Sequence, residues 1–128
     1  MKSIILRIIR LGGTIMEEQS ILIISGAEVA RVFVGDIVLV EQEGRKLHVV
    51  TSCREYRYYE KMRKLEAALD GRFCPCLKGC YVNLERIVSM KEPEIHFDNG
   101  YVFCLGRTNF IKLRQKYKLF LKNSVNLA

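Results

Sequence analysis

From Leu105 to its C-terminus the sequence has no acidic residue, against six basic ones: Arg107, Lys112, Arg114, Lys116, Lys118 and Lys122. The imbalance is regional. Residues 1–70 sum to +1 and residues 71–128 to +6, out of a net charge of +7. A polyanionic partner would therefore be met by the second half. A solvated helix face is the plain alternative for such a run taken alone. Long apolar runs are missing too. Nothing approaches the ~20 residues a bilayer-spanning helix needs. Arg7 and Arg10 interrupt the N-terminal apolar stretch that would otherwise look like a signal sequence. Residues 1–17 are read instead as an arm or extension, either a basic amphipathic helix or a stretch upstream of a start at Met16-Glu17-Glu18. Repeats, low-complexity tracts and Pro/Gly/Ser linkers are absent, which leaves one domain over residues 18–122 and a tail over 123–128. An apolar share of 49% and a charged share of 27% mark a folded chain, not a disordered one.

Chemistry-bearing motifs are lacking as well. There is no nucleophile elbow, no phosphate-cradling glycine loop and no carboxylate pair with a partner base, so the chain is not expected to be an enzyme. Its five cysteines are an odd number without a secretory signal. Reduced thiols in a cytoplasmic protein follow. Cys74-x-Cys76-x3-Cys80, with Cys53, Cys104, His48 or His96 as a fourth donor, lacks the paired C-x2-C knuckles of zinc sites. No metal or cofactor is expected, and the cysteines read as core fillers. Cys76 and Cys104 are a candidate redox pair only through their nearness to the loops singled out below. His48 and His96 read as hydrogen-bonded strand residues.

What is present is mostly β. Ile21–Ile24, Val29–Val34, Ile37–Val40 and Leu47–Thr51 are dense in β-branched residues, broken by Gly35-Asp36 and Glu43-Gly44. Cys53–Arg57 extends this pattern. Tyr58, Met62, Leu65 and Leu69 then recur at helical spacing up to Asp70-Gly71. Phe73–Gly79 reads as a loop, its Pro75 arguing against a central strand. Cys80–Val82 and Ile87–Met90 are short strands. Glu94–Phe103 is a hairpin around Asn99-Gly100, both able to take the positive φ of a two-residue type I′ turn. After Gly106, Phe110, Leu113, Tyr117 and Phe120 or Leu121 form the apolar stripe of a terminal helix.

These segments, in this order, resemble the LytTR DNA-binding domain of LytR/AlgR-like bacterial transcription regulators. The resemblance runs over about residues 20–121. It rests on Phe73-Cys74-Pro75-Cys76-Leu77-Lys78-Gly79-Cys80-Tyr81-Val82-Asn83, on the strand ending at Glu41, on Leu65-Glu66 before Phe73, and on Leu105-Gly106-Arg107 after the hairpin. It implies a mainly β fold: an elongated antiparallel sandwich of short strands in stacked sheets, with one internal helix and a C-terminal helix. It also implies that loops, not a recognition helix, enter successive major grooves of double-stranded DNA in transcription control. By position, the loops offer Arg45 and Lys46, then Lys78 and Gly79, then Arg107. Arg45 and Arg107 suit bidentate bonds to guanine. Lys46, Lys78, Lys112 and Arg114 suit phosphate. Direct-repeat sites, two copies on one DNA and a membrane-protein inhibitor are further family expectations. Members often carry a receiver domain, for which residues 1–20 are too few.

The sequence departs from the family at two loops. Leu77-Lys78-Gly79 stands where a His-basic-Ser triplet is usual, and Gly106-Arg107 where Ser-Arg is usual. Each lost hydroxyl or imidazole bond is worth about 1 kcal/mol; glycine in exchange lets backbone N–H groups approach phosphate. Two alternatives therefore stand beside DNA binding. One is a degenerate domain acting as a protein-interaction module; the other is a small basic RNA-binding β-protein using Tyr56, Tyr58, Tyr59 and Tyr81 as stacking platforms.

Overall fold

The computed structural model describes residues 8–11 and 14–125. In chain order its elements are β1 (Ile8–Leu11), β2 (Thr14–Glu17), β3 (Ser20–Ile24), β4 (Val29–Phe33), β5 (Ile37–Glu43), β6 (Lys46–Thr51), β7 (Glu55–Tyr59), α1 (Met62–Glu66), β8 (Phe73–Leu77), β9 (Cys80–Asn83), β10 (Ile87–Lys91), β11 (Glu94–Phe97), β12 (Val102–Cys104) and α2 (Arg107–Val125). Short 3₁₀ turns at Val34–Asp36 and Leu84–Arg86 lead into β5 and β10.

An antiparallel sheet of order β7-β6-β5-β9-β8 forms the middle layer. Ile37 to Val40 are all buried, as a strand covered on both faces requires. Alternation then sends neighbours to opposite cores. Val40, Leu47 and Val49 pack with Ile23, Val32, Tyr58, Met62 and Leu65, under the β3–β4 hairpin and α1. Leu39, Val50 and Val82 pack with Ile95, Phe97, Phe110 and Leu113, under the β10-β11-β12 sheet and α2. Each fully buried side chain of this kind contributes roughly 1.5–3 kcal/mol. The result is the expected stacked antiparallel sandwich with an internal and a C-terminal helix.

Four local expectations are corrected. The helix predicted from Tyr58 to Leu69 shrinks to Met62–Glu66, because Tyr58 and Tyr59 pair with Leu47 and Lys46 to complete β7. Phe73–Leu77 is a strand, not a loop; it lies at the sheet edge, where the missing N–H of Pro75 costs no ladder bond. At Asn99-Gly100 only the glycine has positive φ, 88°. The Gly100 N–H bonds back to the Phe97 carbonyl at 3.0 Å, and Asn99 is held by its amide, which donates to the Thr51 carbonyl at 3.0 Å. In the N-terminal arm, Ile8–Leu11 is extended and pairs with Thr14–Glu17; residues 1–7, where a helix was also considered, lie outside the described residues.

Antiparallel pairing sorts the connections between two ends of the sandwich. One end holds the 3₁₀ turns, the Asp98–Tyr101 turn and the start of β8. There Arg72 donates to Asp70 (2.6 Å) and to buried Glu18 (3.2 Å). Burial would raise the Asp70 carboxyl, but the bonds from Arg72 outweigh it and hold it below the usual range. Gly35 sits against this pair: a Cβ there would stand 2.5 Å from Glu18 Oε2 and 2.9 Å from Arg72 Nη1. Arg86 caps the Gly35 carbonyl at 2.8 Å and reaches Asp98 at 3.1 Å. The fully buried Asn83 ties β9 to β5 through the Ile37 carbonyl at 2.9 Å. The opposite end carries the β5–β6, β8–β9 and β10–β11 turns.

Candidate nucleic-acid interface

The β5–β6 hairpin closes in two residues, Gly44 and Arg45, between the paired Glu43 and Lys46. Gly44 takes φ +62°, the first-position glycine of a type II′ turn, whose twist suits a hairpin. Arg45 is the second turn residue and is exposed, with no hydrogen-bond partner for its guanidinium among the described residues. The turn itself is held firmly. The Gln42 side-chain nitrogen lies within 3.1 Å of the Gly44, Lys46 and Glu60 carbonyls, and its oxygen accepts the Met62 N–H at 2.8 Å.

The β8–β9 turn, Lys78-Gly79, has its positive φ of 74° at the glycine. The Gly79 carbonyl accepts the Gln42 backbone N–H at 2.8 Å. Gln42 is thus a strut shared by both turns, and Arg45 and Lys78 are carried side by side at one end of the sheet.

Helix α2 runs along β8 in the opposite direction. Asn109 and Lys112 share a cavity of about 560 Å³ with Leu77, Lys78 and Gly79, while Lys116 reaches the thiol of Cys74 electrostatically. The start of α2 therefore lies at the Lys78 end. The β10–β11 turn lies there too, its Pro93 carbonyl accepting the Leu105 N–H at 3.0 Å. Arg107 opens the helix from this position, with no acid in the first turn. The N–H groups of a helix's first turn have no intrahelical partner and suit a phosphate. The Arg107 guanidinium meets both oxygens of Glu92 at 3.3 Å.

The remaining site residues divide. Lys112 is exposed on the cavity side. Arg114, about 200° round the helix from it, flanks the buried Leu113 on the other side and does not join the cavity. Lys46 is half-buried with its ammonium 4.9 Å from the centre of the Tyr59 ring, an arrangement that favours a cation. The sequence reading missed Lys61, which borders the same depression as Arg45. Its place followed only once Tyr58 and Tyr59 were in a strand. Gln42 was missed as well, because its bonds to Glu60, Met62 and Gly79 join residues remote in sequence.

Behind the hairpin, His48 is 2% exposed. Its Nδ1 lies 3.1 Å from Glu41 and its Nε2 2.7 Å from Glu55. Glu43 is bonded to Arg57 at 3.0 Å, which holds its carboxyl below the usual range. Donor atoms of Glu41, Glu43 and His48 fall within 4.8 Å of one another, but they already satisfy each other or Arg57. Among the described residues, no such three-donor group includes a cysteine. The candidate pairing of Cys76 with Cys104 is not what the structure brings together. Cys76 and Cys80 are both buried, with the Cys76 thiol donating to the Cys80 carbonyl at 3.7 Å; the interaction between the two thiols lowers the Cys76 pKa and, with burial, raises that of Cys80, whereas Cys104 is exposed in β12. His96 pairs with Glu94 at 2.9 Å.

The family model of the LytTr DNA-binding domain matches residues 27–118. Among solved structures the chain is similar to the LytTr DNA-binding domain of a putative methyl-accepting/DNA response regulator from Bacillus cereus. That match has a TM-score of 0.61 at 14% identity and covers 77% of this chain and 95% of the other. At that identity it shows a common fold. No curated protein matches. No helix of the described residues is long and apolar enough to cross a membrane. The matched span takes in both β-turns, Arg107 and most of α2, and the chain belongs to the LytTr DNA-binding domain family, a family of DNA-binding and not enzymatic domains.

Proposed function

We propose that the chain binds double-stranded DNA sequence-specifically in bacterial, cytoplasmic transcription control, with its turns entering successive major grooves. The observation that carries this reading is the shared strut: Gln42 fixes the Arg45 and Lys78 turns together, and the start of α2 brings Arg107 to the same end. Arg45 and Arg107 contact base edges. Lys46, Lys78 with the Gly79 backbone, and Lys112 contact phosphate; Arg114 reaches the backbone from the far side of α2. Releasing Arg107 from Glu92 is cheap, because an exposed ion pair contributes only ~0–1 kcal/mol. A bidentate arginine–guanine contact contributes about 1–3 kcal/mol of discrimination. Two copies on adjacent direct repeats would double the contact.

Electrophoretic titration of duplex, single-stranded and RNA probes at several salt concentrations tests this. A duplex-selective complex whose log affinity falls with log salt at a slope of about −3 to −4, for four phosphate contacts, supports it. Equal affinity for all three probes refutes it. A protein-interaction module is the second reading. It is favoured by Leu22, Ile24 and Val29, all at least 60% exposed on the outer face of the β3–β4 hairpin.

A further inference from the structure

The cavity between the β8–β9 hairpin and α2 is not accounted for by contact with a nucleic-acid backbone. Its volume of about 560 Å³ lies within the ~300–1,000 Å³ range of small-molecule sites. Pro75, Leu77 and Leu113 supply an apolar wall, and Lys78, Lys112 and Lys116 supply three ammonium groups. The carboxylate on this lining, Glu66, is already engaged by the Tyr81 hydroxyl at 2.7 Å. A phosphodiester backbone would meet the lysine heads at the rim. It would leave the apolar floor wet, at a cost of about 25 cal/mol per Å² of apolar surface left exposed. An occupant that satisfies both walls needs an apolar body and one anionic head.

We infer that this cavity binds a small organic acid, a carboxylate on an apolar body, in the groove between β8–β9 and α2. The head sits among Lys78, Lys112 and Lys116, and the body lies on Pro75, Leu77 and Leu113. Lys78 and Lys112 are also placed on DNA under the reading above. On that reading, occupancy of the cavity competes with duplex binding, so that a metabolite-sized acid relieves or prevents binding.

The test uses the full chain, isotopically labelled, titrated with decanoate and followed by its backbone amide resonances. Saturable shifts confined to residues 76–79 and 109–116 are expected, with decanol at least tenfold weaker. Lys116→Gln should weaken decanoate at least threefold. Leu77→Asp, a substitution at a part-exposed position, should abolish binding while leaving the rest of the spectrum in place. The inference is overturned if the shifts are absent or scattered, or if decanol binds as well as decanoate. It is equally overturned if inorganic phosphate alone saturates the same amides as tightly, since the lysines would then serve phosphate only. A duplex titration run beside it keeps the two readings apart. Decanoate binding by a chain that ignores duplex DNA upholds the cavity and sinks the DNA reading, and the converse result does the opposite.

Discussion

At one end of the central sheet the Arg72 side chain is 6% exposed and shared between Asp70 and Glu18; at the other, that of Arg107 is 75% exposed and faces Glu92 at 3.3 Å. Both are arginines paired with carboxylates, yet their surroundings give them opposite work. A buried pair cannot be opened without stranding a charge in a low dielectric, which costs several kcal/mol. An exposed pair is screened by water and opens for little. The closed end therefore fixes the sandwich, and the open end keeps its cations exchangeable.

Breaking the closed end should have the largest effect. Arg72→Ala leaves Glu18 buried without its guanidinium and should cost about 3–5 kcal/mol of unfolding free energy, measured by urea denaturation. A loss under 1 kcal/mol would mean that this end is held without the guanidinium. The same pair sets an acid limit. The folded Asp70 carboxyl lies below its unfolded value, so its contribution is complete above about pH 4 and disappears as pH falls through the folded value. Asp70→Asn should lose that acid-dependent part of the stability.

Next comes Gly35→Ala. The added Cβ falls 2.5 Å from Glu18 Oε2 and 2.9 Å from Arg72 Nη1, the ends of two buried side chains joined to each other through Glu18 Oε1 and Arg72 Nη2. Overpacking of this kind costs about 1–3 kcal/mol. An unchanged melting temperature would show that the network yields.

Gln42 belongs to the open end but works as the closed end does, by fixing backbone. Gln42→Ala removes the amide whose two N–H groups are shared among three carbonyls and whose oxygen accepts the Met62 N–H. It should lower duplex affinity about tenfold although Gln42 itself need not touch DNA, because the Arg45 turn loses its side-chain anchor while the backbone bond to the Gly79 carbonyl keeps the Lys78 turn in place. A hydrogen bond contributes about 1 kcal/mol net, so the fold should survive. Loss of affinity with a native amide spectrum is the expected result; unchanged affinity would show that the turns are held without it.

The same contrast explains what was legible in the sequence. Strands could be read wherever β-branched residues crowd, as at Ile37–Val40, because burial on both faces selects them. Arg45, Lys78 and Arg107 were singled out by the loop positions that the resemblance to the LytTR domain implies, and each sits beside a glycine at a chain reversal or helix start. Tyr58, Met62, Leu65 and Leu69 misled: their spacing is helical, but Tyr58 is claimed by a strand pairing with Leu47 that no local pattern announces. Pro75 was read correctly as incompatible with a central strand and wrongly as a loop, since edge position is a property of the whole sheet. Glu18, Gln42 and Glu92 were not legible as partners at all. Glu18 and Arg72 are 54 positions apart, and only the folded sheet brings such residues together.

The smallest effect is at Glu92. Its carboxylate stands at 3.3 Å from Arg107 at the edge proposed for DNA, where it both occupies the guanidinium and repels phosphate. Glu92→Gln removes the charge and keeps the size. Because the pair is exposed, the gain is bounded at roughly 1 kcal/mol, about a fivefold rise in duplex affinity, mostly through faster association and greatest at low salt. Arg107→Ala should cost about 1–3 kcal/mol in affinity and relax preference at one base. In the double variant the benefit of Glu92→Gln should shrink, since its principal partner is gone. If Glu92→Gln helps just as much without Arg107, the carboxylate acts by general repulsion, and Arg107 is not held in reserve by it.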